Sequence, residues 1–124
     1  MTTLYGIKNC TSVKLARQWL ASHGIDYHFH DLRADGLGAA RIAHWVDAVG
    51  WEVLVNRRGT TWRALDPSVR TLVEHAIANA PNPDAAAIAT LDAHPTLIKR
   101  PVLDHGHKIR VGFTADDYRQ FFAQ

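Results

Sequence analysis

Cys10 is the only thiol in the chain, and it sits within Leu4-Tyr5-Gly6-Ile7-Lys8-Asn9-Cys10-Thr11-Ser12-Val13-Lys14. That stretch reads as a short apolar run, a polar turn and the start of a helical pattern. A thiol where a strand hands over to a helix feels the partial positive charge of unpaired backbone N–H groups, which favours the nucleophilic thiolate. Lys8 and Lys14 flank it, and Asn9, Thr11 and Ser12 offer hydrogen bonds to the sulfur or to a bound oxyanion. The same three side chains serve equally well as helix caps, and a lone cysteine is as readily a small buried hydrophobe. Val13 stands where a Cys-x-x-Cys motif would have its second thiol, so an external thiol must complete any disulfide exchange.

Two other segments carry positive charge. Asn56-Arg57-Arg58-Gly59-Thr60-Thr61-Trp62-Arg63 reads as a polar loop with a basic face, either solvated or an anion clamp, and Lys99-Arg100-Pro101 precedes an apolar run. His28 with His30 and His105 with His107 have spacings compatible with a metal, but neither pair has a third and fourth partner nearby, so no metal is expected.

The elements that must position these groups follow from periodicity. A chain of 124 residues with 47% hydrophobic and 21% charged residues fits one globular domain, residues 1–124. A formal net charge of +2 falls short of the density that implies nucleic acid. One cysteine excludes a disulfide scaffold and suits a reducing compartment. No apolar run approaches the roughly 20 residues needed to span a bilayer, no signal sequence opens the chain, and a cytoplasmic location is expected.

Residues 3–7 read as a strand, and Val13, Ala16, Trp19 and Leu20 share one face of the helix that follows. Residues 25–32 alternate Ile25, Tyr27 and Phe29 with polar side chains, as in a half-buried strand parallel to the first. Residues 37–98 read as largely helical. Gly50 ends a helix over 37–49, Asp66-Pro67 starts another, Asn82-Pro83 repeats the start signal, and His94-Pro95 interrupts the last. Residues 102–104 and 108–111 form a hairpin pattern, and Thr114 with Asp117 opens a final helix whose inner face carries Tyr118, Phe121 and Phe122. The order β-α-β, helical insertion over 37–98, β-β-α is that of an α/β, thioredoxin-like fold with a mixed four-stranded sheet.

With this order, the Tyr-Gly-Ile-Lys-Asn-Cys opening, the Asn-Arg-Arg-Gly-Thr-Thr-Trp loop and the Ile-Lys-Arg-Pro-Val-Leu segment, the chain resembles the arsenate reductase (ArsC) and Spx family of bacterial proteins. The likeness is to the branch of small uncharacterised reductase-like members with an Asn-x-Arg-Gly-Thr-Thr-Trp loop. The resemblance implies a catalytic Cys10, an arginine at Arg100, and a cis bond before Pro101, the proline that faces the active cysteine in thioredoxin folds. It implies glutathione as co-substrate, with no bound cofactor, and glutaredoxin as a further partner of a monomeric protein. Lys8, Asn9, Thr11, Ser12, Lys14, Arg58, Arg100 and Pro101 are the expected anion- or glutathione-binding residues. The other two arginines of the family's oxyanion triad fall at Asn56 and Gly112, with Arg57, Arg58 and Arg110 nearby. The expected activity is therefore that of a glutathione-dependent monothiol reductase acting on a disulfide, a glutathione adduct or a small oxyanion. The alternatives are arsenate reduction proper and a non-catalytic, Spx-like regulator that binds RNA polymerase.

Overall fold

A computed structural model describes residues 1–80, 84–106 and 108–123. The chain divides into two compact units, Met1–Asp35 with Arg100–Gln124, and Gly36–Lys99. In sequence, the second unit lies between the two segments of the first.

The first unit is built on four strands, β1 (Thr2–Gly6), β2 (His28–Asp31), β3 (Val102–His105) and β4 (Lys108–Val111), in the spatial order β2-β1-β3-β4. β1 runs parallel to β2 and antiparallel to β3, and β3 and β4 form the expected hairpin. The sheet is thus mixed and four-stranded, as the sequence predicts. The strand expected over 25–32 is shorter. The Ile25 N–H bonds back to the Leu20 carbonyl at 3.0 Å, and pairing with β1 begins only at His28. Ile25 and Tyr27 still pack against the core, so their alternation reports burial rather than strand pairing.

Helix α1 (Thr11–Ser22) lays Val13, Ala16, Trp19 and Leu20 inward. Leu4, Ala16, Trp19, Leu20, Leu103, Tyr118 and Phe121 form one buried cluster between sheet and helices, with Phe122 only partly buried at its edge. The last helix of the chain (Ala115–Phe122) is capped by Thr114, whose hydroxyl accepts from the Asp117 N–H at 3.0 Å. The Asp117 carboxylate lies 3.4 Å from Arg110 Nε, an ion pair without the alignment of a hydrogen bond. At the other end of that helix, Lys108 Nζ donates to the Phe121 carbonyl at 2.6 Å, a cation placed where the helix dipole is negative.

Tyr118 is fully buried, and its hydroxyl has no hydrogen-bond partner among the described residues. Burial, helped by the Asp117 charge, pushes its ionisation far above the ordinary tyrosine range. Its ring meets Trp19 and Phe113 edge-on, with centroids 5.6 and 4.8 Å away. The residue is held for its ring, and the hydroxyl carries an uncompensated desolvation cost. Tyr118→Phe is therefore expected to raise unfolding stability by about 1 kcal/mol in denaturant melts, with the slope unchanged.

The second unit holds α2 (Ala39–Val49), α3 (Trp51–Leu54), α4 (Thr60–Ala64), α5 (Pro67–Ala78) and α6 (Ala85–Ala93), followed by a 3-10 turn at Pro95–Leu97; the last helix of the chain is accordingly α7. Ile42, Trp45, Trp51, Leu54, Val73, Ala87, Leu91, Leu97 and Ile98 are buried, and α6 packs against both α2 and α5. Asp66 caps α5 as its sequence predicts, its carboxylate accepting from the Ser68 N–H at 2.9 Å with Pro67 in the first turn. The Asn82-Pro83 start signal lies outside the described residues; the cap of α6 is Asp84, which accepts from the Ala87 N–H at 3.0 Å. The polar loop read over 56–63 is partly helical, because Trp62 is drawn inward to 9% exposure and residues 60–64 close one turn around it. All four tryptophans are buried. Among the described residues no helix is long and apolar enough to cross a membrane.

Candidate functional site

β1 ends at Gly6, and the chain turns through Ile7, Lys8 and Asn9 to Cys10, the N-cap of α1 with extended backbone angles (φ −106°, ψ 125°). The Cys10 carbonyl accepts the first helical hydrogen bond from Lys14 at 3.0 Å. The turn is tight because α1 starts against the sheet. A Cβ on Gly6 would lie 2.6 and 2.9 Å from the two methyls of Val13, a residue with no exposed surface. Glycine at the end of β1 therefore sets how closely the thiol-bearing turn approaches the strand.

The helix start offers donors and no competing acid. The first turn of α1 has no acidic residue, and Cys10 makes no side-chain cap bond. Burial pushes the half-exposed Cys10 thiol up, and this is the largest single influence. Against it stand the Val13 N–H, then the Arg100 guanidinium, acting both as a hydrogen-bond donor and as a charge, then the Ser12 N–H. Together they win and hold the thiol below its ordinary value. Neutral-thiol geometry supplies no cap bond, whereas an anionic sulfur is favoured by the same two amides.

Arg100 follows the short bridge between Val55 and Ile98 and is joined to Pro101 by a cis peptide bond, as expected. Pro101 is buried at the entry to β3, and its carbonyl accepts from the Gly112 N–H at 2.8 Å. Cys10, Arg100 and Pro101 all belong to the first unit.

The remaining expected site residues are distributed differently. Asn9, Thr11 and Ser12 line the turn, all exposed, and Ser12 contributes through its backbone. Lys8 and Lys14 are exposed, and the charge of Lys8 acts on Asp31. Asp31 is held below the usual carboxylate range chiefly by the Ala34 N–H, then by the Arg33 N–H and the charges of Lys8 and Arg33. Arg58 belongs to the second unit, where it lines a cleft with Glu52, Val53, Val55, Asn56, Arg57 and Lys99. Lys99 was not singled out as a site residue from sequence. Among the described residues no group of three or more His, Cys, Asp or Glu could hold a metal ion, and His107 lies outside them.

The profile of the ArsC family matches residues 5–121. The chain belongs to the ArsC family. An uncharacterised protein of Haemophilus influenzae is 42% identical to this ArsC-family chain over 123 residues, spanning 99% of this chain and 100% of that protein. The global transcriptional regulator Spx of Lactiplantibacillus plantarum is 26% identical over 98% of this chain and 86% of its own. The solution structure of an arsenate reductase (ArsC) related protein from Brucella melitensis superposes with a TM-score of 0.69 at 41% identity, covering 99% and 95% of the two chains.

Set against the arginine triad that the resemblance implied, this ArsC-family chain shows why two positions differ. Gly112 has φ +84°, in the left-handed region, so an arginine there would carry a backbone penalty of about 1–2 kcal/mol. Asn56 has a structural task, accepting from the Arg58 N–H at 3.0 Å through its side-chain oxygen. Arg110 is engaged elsewhere, by Asp117 and by the Phe121 ring 5.7 Å from its guanidinium carbon.

Proposed function

We propose that this ArsC-family chain is a glutathione-dependent monothiol reductase whose nucleophile is Cys10. The observation that carries the reading is the pairing of a thiol held below its ordinary ionisation range with the Arg100 guanidinium beside it. In the first step the Cys10 thiolate attacks the glutathione sulfur of a glutathione adduct, forming a Cys10–glutathione mixed disulfide and releasing the substrate sulfur as thiolate. In the second, a glutathione thiolate attacks the glutathione sulfur of the adduct, regenerates the Cys10 thiolate and leaves as glutathione disulfide. Overall one glutathione thiol converts the adduct to the free substrate thiol and emerges, joined to the glutathione that the adduct carried, as glutathione disulfide; glutaredoxin is an alternative donor for the second step. The Ser12 and Val13 amides and Arg100 stabilise sulfur as a leaving group as well as a nucleophile, which suits reversible exchange.

Arsenate is a poorer fit. A buried dianion short of fixed donors costs several kcal/mol, and this chain has Asn56 and Gly112 where the triad calls for arginine. The Spx relative supports a regulatory, protein-binding alternative, but a dithiol switch needs a second cysteine that the chain lacks.

Incubation with glutathione disulfide followed by intact-mass spectrometry tests the reading. A single glutathione adduct is expected on the wild type, none on Cys10→Ser, and release of the adduct by reduced glutathione. A wild-type protein that stays unmodified under these conditions contradicts it.

A further inference from the structure

Asp31 ends β2 at the level where the thiol-bearing turn leaves β1. The two strands run parallel with Gly6 opposite Asp31, and the ladder closes with the Leu32 N–H donating to the Gly6 carbonyl at 2.9 Å. The loop after β2 and the Ile7-Lys8-Asn9 turn after β1 therefore start side by side, and both belong to the first unit.

The Asp31 carboxylate is fixed by its own loop. Its Oδ1 accepts from the Arg33 N–H at 2.8 Å and from the Ala34 N–H at 3.0 Å. Its backbone N–H donates to Asp35 Oδ2 at 3.1 Å, and its carbonyl accepts from the Asp35 N–H at 2.9 Å. With two amides on one oxygen the group is an anion with one position and little freedom to relax. Its cationic neighbours are Lys8 and Arg33, and the charge of Lys8 acts on it more strongly. The cation that acts on Cys10 is Arg100. Lys8 lies between Gly6 and Cys10 in sequence and is exposed, so its flexible stem can swing toward the carboxylate or toward the sulfur.

We propose that Asp31 is a positioning residue for the Cys10 site, holding the Lys8 ammonium at the end of β2 so that Arg100 is the cation that meets the reacting groups. An attacking group with extra negative charge then gains nothing from Lys8, and the site discriminates less by substrate charge than its flanking lysines suggest. The first turn of α1 has no acidic residue to take over the task. The inference rests on the reading of Cys10 as the nucleophile.

Alkylation of Cys10 by iodoacetate and by iodoacetamide at one pH tests the proposal. Both reagents add a carbon to the sulfur and expel iodide, and both draw on the same thiolate fraction, so the ratio of their rates reports the charge around the sulfur and not its ionisation. Asp31→Asn keeps an oxygen for the two amides and removes the charge. It is expected to raise the iodoacetate to iodoacetamide ratio roughly two- to fourfold, as an exposed cation freed near a reacting anion would. Adding Lys8→Gln to that variant is expected to return the ratio to the wild-type value, Lys8→Gln alone to leave it unchanged, and Asp31→Glu to stay near the wild type. The gain in Asp31→Asn is expected to vanish at about 1 M salt. An unchanged ratio in Asp31→Asn, a gain that survives Lys8→Gln, or a ratio that falls in Lys8→Gln alone overturns the proposal. A missing glutathione adduct on the wild type would instead count against the reductase reading, and the alkylation ratios remain measurable in that case.

Discussion

Replacing Arg100 with alanine is expected to slow alkylation of Cys10 by iodoacetamide at pH 7 by roughly three- to tenfold. Burial of the sulfur opposes ionisation and is untouched by the substitution, whereas the guanidinium supplies both a hydrogen bond and a charge to the thiolate. Removing it leaves the Ser12 and Val13 amides alone against burial, and the titration of Cys10 moves upward. Arg100→Lys keeps the charge but loses the planar donor fork, so an intermediate rate is expected. The same balance has a signature in stability. A thiol whose ionisation is depressed by folding contributes stability that is fully present above the unfolded value, about 8.5, and is lost as the pH falls through the folded one. The wild type is thus expected to gain on Cys10→Ser as the pH rises across that window, and Arg100→Ala is expected to flatten the gain. An alkylation rate and a stability slope that both ignore Arg100 would mean that its guanidinium does not act on the sulfur.

Gly6→Ala is expected to be the most disruptive single-atom change near the site. The added methyl has to share space with Val13 methyls at 2.6 and 2.9 Å, and Val13 is β-branched, fully buried and close behind Cys10 on α1. A stiff side chain cannot swing away, so the first turn of the helix must shift relative to β1. Overpacking of this kind costs about 1–3 kcal/mol, which lowers the melting temperature by roughly 5–15 °C in a domain of this size. Because the same turn carries the amides that face the sulfur, alkylation of Cys10 should slow in the folded variant as well. Thermal melts and alkylation rates together check this. A variant that loses stability but keeps the wild-type thiol reactivity would show that the strain is absorbed away from Cys10.

Much of this was readable from the chain itself. The helical spacing of Val13, Ala16, Trp19 and Leu20 gave the buried face of α1, and Asp66-Pro67 gave the start of α5, because both signals act within a few residues. The parallel β1–β2 pair and the β3–β4 hairpin followed from β-α-β order and a turn signal, whereas the β1–β3 pairing that sets the sheet order joins distant segments and has no local signal. What the sequence could not show depended on distant partners. The alternation over 25–27 looked like strand because burial on one side has the same period whether or not the backbone pairs, and pairing waits for β1. Trp62 pulled a polar segment into a helical turn that its neighbours alone do not specify. At the site, Cys10 and Arg100 were legible from type and motif. That the charge acting on Cys10 is Arg100's, while Lys8 acts on Asp31, is a property of side-chain direction that sequence spacing does not encode. The tasks of Asn56 and Gly112 likewise come from a local hydrogen bond and a left-handed backbone, not from the missing arginines they replace.

The pH dependence of Cys10 alkylation in the wild-type protein tests the central claim most directly. The reaction is followed by mass spectrometry from pH 5 to 10, with reduced glutathione alkylated in parallel as an unperturbed thiol. A midpoint clearly below that of the free thiol, moving back toward it in Arg100→Ala, is the predicted result. A midpoint at or above about 8.5, unchanged by the Arg100 substitution, would contradict the account and return Cys10 to the role of an ordinary half-buried side chain.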